Sequence, residues 1–168
     1  MEYIDESVKA NKPFFHFLSY TAPHWPLQVP DEFVDLNKVQ YDSGYEELAI
    51  QRLAKGKKQG VIPEYTTLPT LSPNVEPWEG LKAEEQQKAS KSMEIYAAMI
   101  ERLDYHTGRV IQHLKDKGAY ENTLIIFMAD NGAEGNSIMG YEVTGEWVDT
   151  TFDNSLANMG KLNCYIEV

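Results

Sequence analysis

The sequence has little of what marks several common classes of protein. It contains one cysteine in 168 residues, which excludes an internal disulfide and a cysteine-rich metal site. No apolar run approaches the roughly 20 residues of a bilayer-spanning helix. The opening residues, MEYIDESVKANKP, lack the apolar centre of a signal peptide, and no Asn-x-Ser/Thr glycosylation acceptor occurs. Compartment and oligomeric state are left open.

Positive charge is also scarce. The 15 lysines and arginines are outnumbered by 26 aspartates and glutamates, and the formal net charge is −11. This balance argues against a nucleic-acid partner, because phosphate binding needs clustered Lys and Arg. The local group Lys55, Lys57 and Lys58 is typical of a solvated helix end. A chain of this length and 42% hydrophobic content predicts one modest domain.

Two short apolar runs predict β-strands. Residues 13–20, PFFHFLSY, are rich in aromatics and begin with a proline. Residues 124–128, LIIFM, are apolar throughout, as expected of a strand buried on both faces. Between them we predict a long helix from about Ala83 to Lys117, ended by Gly118. The order strand, helices, strand allows a parallel crossover and indicates the α/β class.

The helices and loops follow from local signals. Ser43 and Glu46 have the spacing of a capping box and predict a helix through about Gly60. The prolines that follow predict an irregular, Pro-rich loop over residues 61–80. The apolar face of the long helix is predicted to comprise Met93, Tyr96, Ala97, Ile100, Leu103, Val110, Ile111 and Leu114. We predict no regular element after Asn131, and two strands are too few for a complete doubly wound sheet.

Asp130 and Asn131 directly follow the second predicted strand. A carboxylate and a carboxamide there would lie at the carboxyl edge of a parallel sheet, where ligands bind. Two hard oxygen donors suit Ca²⁺ or Mg²⁺. Asp130-Asn131-Gly132 is equally an ordinary turn sequence, so the residues alone support both interpretations.

His24 is the histidine that we single out. It follows the first predicted strand in the loop Thr21–Pro26, which Pro23 and Pro26 are expected to hold extended and stiff. If both strands are parallel, His24 emerges at the same edge as Asp130, as in a metal-dependent hydrolase. A loop histidine without chemistry is the alternative. We interpret His16 as a packed or edge residue, and His106 and His113 as surface residues.

Taken together, these motifs resemble one family. The segments PFFHFLSYTAPHWP, YDSGYEELAIQRLAKGKKQGVIP, MEIYAAMIERLDYHTGRVIQHLKDKGAYENT, TLIIFMADNGAEG and FDNSLANMG are similar, in this order, to arylsulfatases of the alkaline-phosphatase-like superfamily. The resemblance covers about residues 11–160. It implies an α/β fold with a mixed or parallel sheet flanked by helices, and hydrolysis of a small-molecule sulfate ester. It also implies that Asp130 and Asn131 coordinate one Ca²⁺ and that His24 contacts the ester near its bridging oxygen.

Parts of the family pattern are missing. The nucleophile of the family arises from the cysteine of a Cys-x-Pro-x-Arg motif, whereas Cys164 is followed by Tyr165, Ile166, Glu167 and Val168. The aspartate pair that completes the calcium site and the lysine that partners the histidine are absent as well. Residues 1–168 are therefore expected to form a single partial catalytic domain, incomplete at both ends and inactive alone.

Two further interpretations of the function stay open. One is a phosphate or phosphonate monoester hydrolase of the same superfamily. The other is a non-catalytic interaction protein that uses the exposed face of the 83–117 helix.

Overall fold

The regular structure is helical. The computed structural model describes residues 1–132 and 140–167. The helices are α1 (Glu2–Lys9), α2 (Gly44–Lys58), α3 (Ala83–Asp116) and α4 (Glu142–Thr151). Short 3₁₀ turns lie at Asp31–Phe33, Trp78–Gly80 and Tyr120–Asn122. Within these ranges no helix is both long and apolar enough to cross a membrane.

The predicted sheet is not formed by the described residues. Their one β-pairing is an isolated parallel bridge between Gln28 and Gly160. Residues 13–20 and 124–128, the first and second apolar segments, have no strand partner, and Phe15 is 91% and Leu124 86% exposed. A strand is stabilised by neighbours that pair its backbone and cover its faces, and this part of the chain supplies neither.

The core is built on the middle of α3. Ile95, Ala98 and Met99 are buried there against Leu27 and Val29 from one segment and Met159 and Cys164 from another. The two segments are also joined by backbone hydrogen bonds. The amide of Leu27 donates to the Ile166 carbonyl over 3.0 Å, and that of Val29 to the Gly160 carbonyl over 2.9 Å. Residues 22–34 and 159–166 therefore cover one face of α3 together.

The predicted apolar face of α3 is wrong in the middle of the helix. Ile95, Ala98 and Met99 are buried, whereas Ile100, assigned to the core from the spacing, is 39% exposed. Apolar residues occur on both sides of this helix, so spacing alone does not decide which side is covered. The bounds of the helix and the burial of Leu114 are confirmed.

Gly118 ends α3 as predicted. It has a φ of +67°, in the left-handed region that favours glycine. Its amide donates to the Lys115 carbonyl over 3.0 Å, and the amide of Ala119 donates to the Leu114 carbonyl over 2.9 Å. These two bonds form a Schellman motif, which satisfies carbonyls that the helix itself leaves unpaired.

We predict that Gly118→Ala destabilises the chain by about 1 kcal/mol, because an alanine is strained at positive φ even in open space. Gly108→Ala is the matched control. It lies within α3, also in open space, and should stabilise by roughly 0.5–1 kcal/mol. Urea unfolding monitored by circular dichroism measures both variants. Equal effects of the two substitutions would contradict the prediction.

The start of α2 is held by Trp78 and not by the predicted capping box. Ser43 makes no side-chain cap, and Glu46 Oε1 accepts from the Trp78 amide over 3.0 Å. The Trp78 ring lies against Gly44, whose φ is +85°, and would overlap with any Cβ at that position. The helix itself is confirmed, but a distant residue takes the glutamate that the local pattern assigned to the cap.

An ion-pair network with one exposed carboxylate, Asp35, connects α3 to residues 34–39. Lys91 Nζ lies 2.6 Å from Asp35 Oδ1 and 3.1 Å from Glu94 Oε2. The other oxygen of Glu94 accepts from the Val39 amide over 2.6 Å. Burial disfavours the Lys91 charge, but hydrogen bonds to Asp35 and Glu94 outweigh it and raise the pKa of Lys91 above 10.5. The carboxylate of Glu94 therefore has partners on both oxygens.

The sequence predicted neither α1 nor α4, and the expectation of no regular element after Asn131 is wrong, since α4 forms there. α1 is attached to the end of α3 by Asp5. Its carboxylate lies 2.8 Å from His113 Nε2 and 3.0 Å from Lys117 Nζ. The neighbouring Ile4 is buried. His113 is thus an ion-pair partner and not merely a surface residue.

The attachment of α1 should depend on acid pH. The hydrogen bond from Lys117 and then that from His113 hold the pKa of Asp5 below its ordinary 3.8. A lowered pKa in the folded state stabilises above the unfolded value and is lost as the pH falls through the folded value. We therefore expect amide exchange in α1 to accelerate well below pH 3.8.

Asp5→Asn should release α1 at neutral pH and remove this acid dependence. Asp104→Asn, an exposed carboxylate on α3, is the control and should leave α1 exchange unchanged. If exchange in α1 were the same in Asp5→Asn and in the unsubstituted chain at neutral pH, the attachment would not depend on Asp5.

Candidate functional site

His24 lies in a turn that orients its ring. The backbone amide of His24 donates to the Thr21 carbonyl over 3.0 Å, so the loop predicted to be extended is bent instead. The ring nitrogen Nδ1 lies 2.6 Å from the Trp25 carbonyl. Because a carbonyl only accepts, Nδ1 must carry the proton, which leaves Nε2 as the available nitrogen. Nε2 can accept a hydrogen bond when the ring is neutral and donate one when it is protonated.

A row of aromatic rings leads from His24 to α4. The His24 ring centroid lies 4.5 Å from that of Trp25, which lies 5.9 Å from Tyr165. Tyr165 in turn lies 5.2 Å from Phe152 and 6.0 Å from Trp147. Sequence reasoning did not find this cluster, since its members are far apart in the chain and belong to no motif.

Asp130 and Asn131 follow the second apolar segment, and both are exposed. In the described ranges neither side chain makes a hydrogen bond or ion pair, and none joins them to His24. Residues 133–135 of the motif that begins at Asp130 lie outside the described residues. Their assignment as ligands therefore stays a prediction.

The donors in this part of the chain do not make a complete calcium site. Among the described residues, no group of three or more His, Cys, Asp or Glu side chains is placed to hold a metal ion. Ca²⁺ takes six to eight oxygen ligands, whereas Asp130 and Asn131 offer one carboxylate and one carboxamide. The pair alone does not fit the ion.

Cys164 belongs to the core and not to a reaction centre. It is buried, and its Sγ lies 3.4 Å from Asn154 Oδ1. Burial raises the pKa of its thiol above the ordinary 9.0, so little thiolate forms at neutral pH. This agrees with the lack of a Cys-x-Pro-x-Arg motif around it.

Comparison with known proteins identifies the family. The sulfatase family profile matches residues 1–157. An uncharacterized sulfatase of Schizosaccharomyces pombe is 41% identical over 93% of this chain and 28% of its own length. An arylsulfatase of Klebsiella aerogenes is 42% identical over 92% of this chain and 33% of its own length. A sulfatase of Formosa agariphila is 28% identical over 72% of this chain and 22% of its own.

The chain therefore belongs to the sulfatase family, as the order of its motifs predicted. It spans about a third or less of the length of these relatives. Membership implies an alkaline-phosphatase-like α/β fold, of which the described residues show helices but no sheet.

Calcium binding by this chain should be weak. With two oxygen donors we expect a dissociation constant no tighter than about 1 mM, the weak end of protein calcium sites. Isothermal titration with CaCl₂ measures it. Asp130→Asn and the control Asp149→Asn, an exposed carboxylate on α4, should give the same weak signal. Micromolar binding that Asp130→Asn abolishes would show that the chain completes the site alone.

Proposed function

We propose that this chain carries part of the active site of a sulfate monoester hydrolase acting on a small-molecule sulfate ester. The observation that carries the proposal is the identity of 41% and 42% with two sulfatases over more than nine-tenths of the chain. The Klebsiella aerogenes relative is named an arylsulfatase, so an aryl sulfate is the substrate class that we propose.

His24 is the proposed catalytic residue. Its Nδ1 is engaged by the Trp25 carbonyl, so its Nε2 is free for the substrate. A protonated Nε2 would donate to the bridging oxygen of the ester as the sulfur–oxygen bond breaks, and the alcohol would leave neutral. The turn that holds His24 ends three positions before the buried Leu27, which limits the movement of the ring.

The aromatic cluster beside His24 supports an aryl leaving group. Flat apolar rings pack against aromatic side chains in offset or edge-to-face geometry. Trp147 is half exposed, and Tyr165 connects it to Trp25. An aryl ring bound there would place its ester oxygen on the side of His24.

Asp130 and Asn131 are proposed as two ligands of a calcium site whose remaining ligands lie outside the described residues. Asp130 and Asn131 do not hold the ion alone. The chain also lacks the Cys-x-Pro-x-Arg motif that supplies the nucleophile for ester cleavage. Cys164 is buried and is no substitute. We therefore propose that the chain by itself does not turn over sulfate esters.

The other two functions have less support. The relatives reported above are named sulfatases, which favours sulfate over phosphate or phosphonate esters. A binding role for the 83–117 helix could not use the face of Ile95, Ala98 and Met99, which is buried in the core, and would depend on partly exposed residues such as Ile100. Phe15 and Leu124 of the two apolar segments are more exposed than any large apolar side chain of this helix.

Hydrolysis of 4-nitrophenyl sulfate tests the role of His24. The isolated chain with CaCl₂ should show no turnover above buffer. A chimera in which residues 1–157 replace the matching segment of the Klebsiella aerogenes arylsulfatase should be active. In that chimera, His24→Ala should lower kcat by about 100-fold or more, as expected for loss of a general acid.

His16→Ala is the matched control in the chimera, because His16 is also an exposed histidine close to the same loop. It should retain activity. A smaller exchange of residues 13–26 serves if the full chimera does not fold. Turnover by the isolated chain that His24→Ala abolishes would overturn the proposed inactivity. A folded, active chimera insensitive to His24→Ala would overturn the proposed role.

A further inference from the structure

One face of α3 changes from apolar to basic along its length. Ile95 and Met99 lie on the face that packs into the core. With 3.6 residues per turn, the same face continues through a basic row of five residues that spans an arc of about 80°. The basic row comprises Arg102, His106, Arg109, His113 and Lys117.

The carboxyl-terminal half of the basic row has an acidic partner. Asp5 of α1 lies within 3.0 Å of both His113 Nε2 and Lys117 Nζ. The positive charge at this end is therefore neutralised inside the fold.

The other half, which we call the Arg-His-Arg cluster, has no such partner among the described residues. Arg102 Nη2 lies 3.3 Å from His106 Nε2, and Arg109 Nη1 lies 3.4 Å from His106 Nδ1. A neutral imidazole has one acceptor nitrogen, and a guanidinium has none. At least one of these two approaches therefore brings two donors together, and a hydrogen-bond acceptor is missing from the cluster.

No carboxylate of the described residues supplies that acceptor. Neither Arg102 nor Arg109 forms an ion pair with an aspartate or glutamate in residues 1–132 or 140–167. The chain carries 26 acidic and 15 basic residues, so carboxylates are abundant. What distinguishes Arg102 and Arg109 is that both guanidinium groups lie within 3.4 Å of one imidazole, so positive charge is concentrated at one place on the helix.

The Arg102 guanidinium is also held in place. It lies 4.2 Å from the Phe33 ring centroid and 4.8 Å from that of Tyr105. Stacking on aromatic faces orients a guanidinium and leaves the N–H groups at its edge free to bind an anion. Because this order exists before binding, less side-chain entropy is lost when a ligand arrives.

We propose that Arg102, His106 and Arg109 form a binding site for a tetrahedral oxyanion, that is, a sulfate or phosphate group. The planar guanidinium fork pairs two N–H donors with two such oxygens, and the imidazole adds a third donor. The residues differ from those of the proposed hydrolytic site, so either proposal can fail without the other.

Nuclear magnetic resonance titration of the whole chain tests the site. Sodium sulfate and sodium phosphate are added at constant ionic strength, with chloride as the reference salt. We expect the His106 ring signals to shift and saturate with a dissociation constant on the order of 1 mM. The His113 ring, already paired with Asp5, should shift little.

Substitutions distinguish a specific anion-binding site from non-specific electrostatic attraction. Arg102→Gln and Arg109→Gln should each weaken binding about tenfold, as expected for loss of a hydrogen bond to a charged group. Arg52→Gln removes the same charge from the exposed surface of α2 and should leave binding unchanged. Equal weakening by Arg52→Gln, or sulfate shifts no larger than those with chloride, would overturn the proposal.

Two additional measurements complete the test. Arg102→Lys keeps the positive charge but loses the guanidinium fork, and circular dichroism checks that each variant retains its helices. Arg102→Lys should bind sulfate several-fold more weakly than the unsubstituted chain. Unchanged affinity would contradict the role of the guanidinium fork. If methyl sulfate binds with the same affinity as inorganic sulfate, the site is assigned to a sulfate group on a larger ligand. If only inorganic sulfate binds, the site is assigned to the free ion.

Discussion

Burial of the middle of α3 is the interaction on which the other described parts depend. Ile95, Ala98 and Met99 are covered by residues 22–34 and 159–166, which lie at opposite ends of the sequence. Removing one large aliphatic side chain from water stabilises by roughly 1.5–3 kcal/mol, and several are buried here, so together they outweigh two backbone hydrogen bonds of about 0.5–1.5 kcal/mol each. Leu27 lies three positions after His24, so the candidate catalytic turn is anchored through the same core. The tail that carries Cys164 is part of it too, although it lies beyond the residues that match the family profile.

The two apolar segments, residues 13–20 and 124–128, are largely exposed, in contrast to the buried middle of α3. Their sequence is suited to strands with both faces covered, yet their side chains are largely exposed. Helices satisfy their backbone hydrogen bonds internally, so α2 and α3 form without a partner strand. A strand needs a partner from elsewhere, and the chain spans about a third or less of its relatives. Because helices pair their own backbone and strands do not, the described residues show the helices of the predicted α/β architecture and not its sheet.

Prediction from sequence succeeded where the signal was local. The bounds of α3 and its stop at Gly118 follow from periodicity and from the special conformation that glycine adopts. It failed where the outcome depends on contacts between distant residues. Glu46 binds Trp78 in place of Ser43, and α1 is held by an ion pair with residues about a hundred positions away. The family was recognisable because the order of the motifs can be read directly from the sequence. The roles of His24, Asp130 and Asn131 stay predictions.

The basic residues of α3 have different partners along the helix, and this difference bears on the role of the basic row. Near the start of the helix, Lys91 is surrounded by Asp35 and Glu94, and these pairs attach residues 34–39 to the core. Near its end, Asp5 pairs with His113 and Lys117 and attaches α1. In both places a carboxylate from another segment meets a base on α3, and the pair holds that segment. Between them, Arg102 and Arg109 meet aromatic rings and a histidine, and no segment within residues 1–132 or 140–167 is attached there by charge. Lys91, His113 and Lys117 meet carboxylates from other parts of the chain. Within the described residues Arg102 and Arg109 do not, and an anion from solution is the partner that their geometry suits.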